Sequence, residues 1–428
     1  MKNTTKVLGV IMAALMLALF CAVVLAVGCN NTVAPKEEKN CYDFHYGTIG
    51  TIGSGNAILE TEDTVYYLFE NYLYFSDKEY KDFMPLCSKP NCDHTDEECD
   101  AYVYTKSGIW IYGDHIYYVD AVFDEDDEIP YTEPALWRLK LDGSQHEKVM
   151  QLPLPDYGYE PFRNTWEYTY TNKYLRVTNS AYENETIRAG EGDWRTYIID
   201  LDSLKVRDMY SSEEPETPIY SGGPVAGAGT KLYGLRRSVQ YPNSRRFDLV
   251  VIDLETFEGR IIGTTEANLD YLGGSFMLLD DAFEYICWDP SIGEMSIWRM
   301  DLETGENALL AKGSNNEIKG AYMDWTDRCL IDPYTRGDES ESGLYVLDAD
   351  LNEVDRFSYE GVPEEVKTLR IFLQTDSYIF AAPPILMNPD DPNSWGSYAA
   401  FAIPTWYIDK SEIGTGNLAW RRWAPDGD

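Results

Sequence analysis

The sequence predicts an all-β protein: a β-propeller of about seven four-stranded blades, with six or eight also compatible with the spacing, preceded by an N-terminal signal or anchor helix. Three observations predict it. A strand, an acidic turn and a second apolar run recur along the chain. No convincing long amphipathic helix interrupts the series, which argues against a parallel α/β sheet. The composition is rich in strand formers, with 33 Tyr, 11 Trp and aromatics at 14% of 428 residues.

The recurrent element reads Leu136-Trp137-Arg138-Leu139-Lys140-Leu141-Asp142-Gly143, then Tyr197-Ile198-Ile199-Asp200-Leu201-Asp202 and Leu249-Val250-Val251-Ile252-Asp253-Leu254-Glu255-Thr256. It returns as Ile297-Trp298-Arg299-Met300-Asp301-Leu302-Glu303-Thr304-Gly305 and Leu344-Tyr345-Val346-Leu347-Asp348-Ala349-Asp350, with weaker copies at Leu73–Asp77 and Trp406–Lys410. With Asp77, Lys140, Asp200, Asp253, Asp301, Asp348 and Asp409 as anchors, the intervals are 63, 60, 53, 48, 47 and 61 residues. Their mean, about 55, suits a four-stranded sheet with loops. Asp and Gly after the apolar run suit a tight hairpin. A second pair of short apolar runs precedes several copies, as at Ile109–Tyr112 with Ile116–Val119, and at Leu232–Leu235. One such sheet cannot bury both faces alone, and radial stacking solves that. Two β-sandwiches in tandem are the competing architecture, but no Pro, Gly or Ser-rich linker divides the chain near its middle.

Charge narrows the partners. Asp and Glu number 73 against 35 Lys and Arg, a net charge of -38, so a nucleic-acid backbone or an anionic lipid surface would repel the body. At 44% hydrophobic residues the chain is too apolar for an acidic disordered protein.

Lys2 and Lys6 precede the uncharged stretch Val7 to Val27, followed by Gly28 and Cys29. This is a charged n-region, an apolar h-region and a small residue before cysteine. The segment Leu25-Ala26-Val27-Gly28-Cys29 resembles a bacterial lipoprotein signal, with Ala26 where that family usually has Leu. The resemblance implies that residues 1–28 are removed and that Cys29 is the lipidation site. The alternative is an uncleaved anchor, since 21 apolar residues can span a bilayer. Residues 29–40, polar and Pro-containing, read as a tether, and 41–428 as the propeller domain. Either way the body is expected at the extracytoplasmic face of the cell membrane. The Asp-Leu-Glu-Thr-Gly-type turns resemble those of TolB-like and quinoprotein-like propellers over most of residues 60 to 420, which implies a fold and no activity.

The sharpest local feature runs from Cys87 to Cys99: Cys-x4-Cys-x-His-x4-Cys, with Cys87, Cys92, His94 and Cys99 within 13 residues. It is similar to a loop of exported lipoproteins of Gram-positive bacteria, a likeness covering those residues alone and carrying no implied chemistry. Three Cys and one His can supply the four ligands of a structural zinc, though the spacing is not that of a standard finger. A disulfide, Cys87 to Cys92 or Cys92 to Cys99 with Cys41 taking the third thiol, is the alternative in an exported protein, and reduced thiols are a third. The acids Asp93, Asp96, Glu97, Glu98 and Asp100 are expected to raise the thiol pKa values while attracting a cation. Cys287 and Cys329, aligned on their Asp-Pro neighbours with a one-residue offset, are expected as buried packed thiols on neighbouring blades.

Catalytic signatures are thin. There is no Gly-x-Ser-x-Gly elbow, His-Glu-x-x-His, phosphate loop or dinucleotide fingerprint, and all four histidines, His45, His94, His115 and His146, fall in the first third. Gly50 to Gly55 lacks the lysine of a phosphate loop and reads as a turn. Asp124 to Glu128 and Asp348-Ala349-Asp350 are read as loops before calcium sites. The sequence therefore favours a non-enzymatic cell-surface binding or interaction module for an extracellular protein, peptide or glycan. The alternative is an extracellular carbohydrate-active hydrolase or lyase working through carboxylates in the propeller funnel.

Overall fold

The computed structural model describes residues 58–423 apart from 70, 79–82, 96, 121–133, 154–155, 157–162, 183–192, 212–223, 242–243, 245, 267–275, 280, 290–293, 315–320, 324–328, 332–344, 348–352, 364–365, 367–368, 375–376, 383–404 and 417. Among the described residues seven sheets follow one another along the chain in a propeller arrangement. Sheet 1 comprises Ile58–Glu60, Thr64–Phe69, Tyr72–Asp77 and Met84–Pro85; sheet 2 comprises Thr105–Tyr112, His115–Asp120, Ala135–Lys140 and Glu147–Gln151. Sheet 3 holds Arg163–Thr171, Tyr174–Tyr182, Asp193–Asp200 and Lys205–Ser211; sheet 4 holds Pro224–Ala228, Lys231–Arg237, Phe247–Asp253 and Gly259–Thr264. Sheet 5 is Phe276–Leu278, Ala282–Asp289, Glu294–Asp301 and Asn307–Ser314. Sheet 6 is Ala321–Met323, Cys329–Ile331, Tyr345–Leu347 and Glu353–Ser358, joined in parallel by Leu418–Ala419. Sheet 7 is Arg370–Gln374, Tyr378–Ala382, Trp406–Asp409 and Arg421–Arg422. The sole helical element among these residues is one 3₁₀ turn, Lys410–Glu412.

Within each sheet four strands pair antiparallel in chain order, with each first strand at one edge; the parallel pairing of Phe357–Ser358 with Leu418–Ala419 in sheet 6 is the long-range exception among the described residues. The first strands of sheets 1, 2, 3 and 4 run beside one another in turn, as do those of sheets 5 and 6. The apolar core is distributed between sheets rather than gathered at one centre. Leu73, Ile109, Ile116, Leu136 and Leu175 belong to one cluster across sheets 1 to 3, and Leu249, Phe283 and Tyr285 to another across sheets 4 and 5. Each such fully buried side chain contributes roughly 1.5–3 kcal/mol. Sheet 7 packs back on sheet 1: the Trp423 ring lies 5.0 Å from Phe380, 5.4 Å from Phe83 and 5.9 Å from Tyr67, and the Tyr378 hydroxyl donates to the Lys78 carbonyl at 3.3 Å. Among the described residues sheets 1 and 7 share no strand, and these aromatic side chains and the Tyr378 hydrogen bond join them.

The recurrent turn explains the spacing read from the sequence. Asp200, Asp253 and Asp301 end third strands, and the Oδ1 of each accepts the backbone N–H groups two and three residues on. The residue four positions later adopts left-handed φ: Leu204 at 54°, Phe257 at 60° and Gly305 at 73°. The leucine after the aspartate donates its N–H to the first hairpin of the same sheet, as Leu201 to Lys173, Leu254 to Thr230 and Leu302 to Asp281. Neighbouring sheets are joined by Arg207, which donates to the Glu255 carbonyl at 2.9 Å, and by Arg260, which donates to Leu302 at 3.3 Å.

Candidate metal centre

The cysteine loop connects the last strand of sheet 1 to the first strand of sheet 2 and is held at both ends by one residue. Leu73 accepts the N–H of Leu86 at 2.7 Å and donates its own N–H to Ala101 at 2.8 Å. Val103 adds a bond to the Asn71 carbonyl at 2.7 Å, and the rings of Tyr72 and Tyr102 meet edge to face at 5.5 Å. Two points in the chain, 86 and 101, are thereby pinned to the same strand, which returns Cys99 to Cys87. Between them the backbone bends through left-handed φ at Asn91, 63°, and at His94, 58°. Asn tolerates that region because its short side chain bonds locally, whereas His adopts it at some cost.

These bends bring together all four residues expected from the spacing. One ligand atom from each of Cys87, Cys92, His94 and Cys99 lies within 4.8 Å of every other, and His94 Nδ1 is 3.3 Å from Cys99 Sγ. Cys99 is buried, 2% exposed, and the other three are half-buried. Cys87, Cys92, Cys99 and Cys287 are all thiols here, and Cys41 lies outside the described residues. Burial pushes the Cys99 thiol up to about 12, opposed by the Ala101 N–H and reinforced by Cys92 and Cys87. Burial also opposes ionisation of Cys87. There the backbone N–H groups of Lys89 and Asp100, with the thiols of Cys99 and Cys92, outweigh it and bring the pKa below the ordinary value. The Cys87 thiol is thus lowered where its acidic neighbours were expected to raise it, its shift coming from these amides and thiols; of those acids, Asp100 is engaged by Ser88 Oγ at 2.9 Å and Lys89 Nζ at 3.0 Å. Four protein donors of this kind could hold one soft or borderline cation.

Sheet 2 lies directly against the cluster. The hairpin turn at Gly143 meets the backbone of Leu86 and Cys87. His146 accepts or donates at 2.6 Å with the Tyr118 hydroxyl and hydrogen-bonds the Asp100 backbone; burial holds its pKa below the ordinary imidazole value. Trp137 packs edge-on to His146 at 5.6 Å. The sequence reading singled out none of these contacts.

Cys29, His45, Gly50 to Gly55, Asp124 to Glu128 and Asp348 to Asp350 lie outside the described residues. Cys287 is buried among Phe276, Phe283 and Tyr285, as expected; the strand holding Cys329 is in the next sheet. Two cross-strand ion pairs also went unread: Arg236 with Asp248 at 3.2 Å, and Arg299 with Glu284. Asp120, at the end of a sheet 2 strand, is half-buried and pushed up to about 6 by desolvation, with Lys148 the opposing charge.

No protein-family model and no curated protein matches this chain. Solved structures do. An oligogalacturonate lyase in complex with manganese is 13% identical, with 74% of this chain aligned to 76% of that one at a TM-score of 0.41. An oligogalacturonate lyase from Vibrio parahaemolyticus is 11% identical, covering 74% and 78% at a TM-score of 0.43. TolB from Acinetobacter baumannii is 10% identical, covering 59% and 53% at 0.27. The protein is a β-propeller in fold, with a Cys3His cluster between its first two sheets.

Proposed function

We propose that the chain is an exported β-propeller, tethered through lipid on Cys29 at the extracytoplasmic face of the cell membrane, that works as a non-enzymatic binding or interaction module for an extracellular protein, peptide or glycan. The observation that carries this reading is the employment of its deep carboxylates. Glu60, Asp248, Glu284 and Asp355 are each less than a tenth exposed. Glu60 pairs with Lys78 at 2.9 Å, Asp248 with Arg236 and the Thr264 hydroxyl, and Glu284 with Arg299. Asp355 accepts the N–H groups of Gly414 and Gly416 at 2.9 and 3.0 Å. These acids hold strands together, whereas glycoside cleavage needs two carboxyl groups about 5–10 Å apart facing a sugar. Asp120, the described acid with a raised pKa, is shifted by desolvation and not by a neighbouring carboxylate. A zinc ion in the Cys3His cluster serves this scaffold as a structural cofactor.

The test is a thermal-shift screen of the full chain in detergent against glycans and peptides, followed by product analysis of each hit. Ligand bound to the native state raises the melting temperature with the logarithm of its concentration over Kd. A shift with the ligand recovered intact supports the module. Turnover that disappears in Asp120→Asn would replace this reading with the carbohydrate-active enzyme.

A further inference from the structure

Tetrahedral zinc, with Zn–S about 2.3 Å and Zn–N about 2.0 Å, separates its donors by roughly 3.5–3.8 Å. The four donors between Cys87 and Cys99 lie within 4.8 Å of one another, so closing on an ion needs a contraction of roughly 1 Å at the widest pair. The 3.3 Å between His94 Nδ1 and Cys99 Sγ is already of that order. Backbone amides are aimed at the sulfurs: Lys89 and Asp100 donate to Cys87, and Ala101 donates to Cys99. Such N–H groups stabilise thiolate charge. Two of the three contacts come from the residue two positions after the cysteine, so the loop is folded as a sulfur cradle. Zinc with three thiolates carries one net negative charge, and the Lys89 ammonium lies close enough to Cys87 and Cys92 to feel them.

The ligands are also the residues next to the contacts with sheet 2. Leu86, one before Cys87, meets Gly143; Asp100, one after Cys99, meets His146, which in turn bonds Tyr118. Resting on the reading of this cluster as a zinc site, we propose that a single zinc ion, bound by Cys87, Cys92, His94 and Cys99, locks the junction of sheet 1 and sheet 2. Four protein ligands leave no open position for a substrate, so the ion is structural. Three thiolates select zinc over calcium, magnesium or manganese, which prefer oxygen. Metal fixes the spacing of Cys87 and Cys99, and so fixes Leu86 and Asp100 against the sheet 2 turn.

The full chain, purified in detergent, is stripped with a chelator and returned to zinc. Metal content is measured by mass spectrometry and backbone amide exchange is followed at residues 84–104 and 140–147. The expected result is one zinc per chain, lost in Cys92→Ser and kept in Cys287→Ser, with exchange in both segments slowed at least tenfold on loading. His146→Gln keeps the zinc and loses most of the slowing at 140–147. Cobalt in place of zinc gives the visible absorption of a tetrahedral thiolate site. Wild-type protein that retains no zinc overturns the metal site and the lock together. Stoichiometric zinc with unchanged exchange at 140–147 overturns the lock and leaves the metal site standing.

Discussion

Gly143 sits so close to Leu86 that a Cβ added to it would lie 2.7 Å from the Leu86 carbonyl oxygen and 3.2 Å from the Cys87 nitrogen. Its φ of 78° adds a second restriction, since an L side chain is strained there. Gly143→Ala is therefore expected to cost roughly 2–4 kcal/mol, combining left-handed strain with displaced backbone. Because Leu86 precedes Cys87, the same substitution should weaken metal retention. Urea unfolding with zinc present, together with zinc content after dialysis, checks both. Wild-type stability in the variant would show that the turn and the loop are not in contact.

The repeated turn offers a pair of substitutions with opposite signs. Gly305 and Leu204 occupy the same position, four residues after Asp301 and Asp200. At Gly305 an added Cβ would meet the Ile262 carbonyl at 2.1 Å, so Gly305→Ala should cost at least about 3 kcal/mol and loosen sheet 4 from sheet 5. Leu204 is 36% exposed and strained at φ 54°. Leu204→Gly relieves about 1–2 kcal/mol of strain and gives back about 0.5–1 kcal/mol in unfolded-chain entropy, so it should be stabilising by about 0.5 kcal/mol. Chemical denaturation of both variants decides the signs.

The anchors from which the repeat was read show what kind of information the sequence carried. Asp77, Lys140, Asp200, Asp253, Asp301 and Asp409 each end a third strand, and Asp348 directly follows one, Tyr345–Leu347. At Asp200, Asp253 and Asp301 the anchor is legible because the turn is made by its own residues: an aspartate that accepts nearby amides and a position that takes left-handed φ. The parallel pairing of Phe357 with Leu418 had no such signal, because the partners are far apart in sequence and each segment is short. First strands of three residues, such as Phe276–Leu278 and Ala321–Met323, carry too little periodicity to be read. The Cys3His set was visible because four ligands lie in one short loop. His146 was not, since its place beside Asp100 depends on how the sheet 2 turn packs.

Lipidation at Cys29 makes a separate prediction. The polar segment Asn30 to Asn40 that follows it in sequence and the strong negative charge of the chain give little affinity for anionic lipid, so anchoring should rest on that thiol. Cys29→Ala should block acylation and processing and leave a larger precursor without lipid label. Stable anchoring takes more than one acyl chain, so the mature form should carry two. Unchanged size and unchanged labelling in the variant would mean that residues 7–27 are retained as a membrane span.

Asp120 gives a pH-dependent test of the scaffold reading. Burial raises its pKa from the usual carboxylate range to about 6, with Lys148 opposing, so the folded protein holds this proton more tightly than the unfolded chain does. Between about pH 4 and pH 6 the native state therefore binds more protons at this group than the unfolded state, and its contribution to stability falls as pH rises through that window. Above about pH 7 the full cost of the half-buried charge is present. Discounted for solvent screening, it amounts to roughly 1 kcal/mol. Asp120→Asn removes the charge and should raise stability by about that amount at pH 7, with the gain vanishing near pH 4. Thermal melts of both proteins across this range measure the difference. A gain that is the same at pH 4 and pH 7 would mean that the wild-type carboxyl does not titrate in this window. A loss of stability at pH 7 would mean that the charge is held by a partner, and that Asp120 belongs with Glu60, Asp248, Glu284 and Asp355 among the acids that fasten strands.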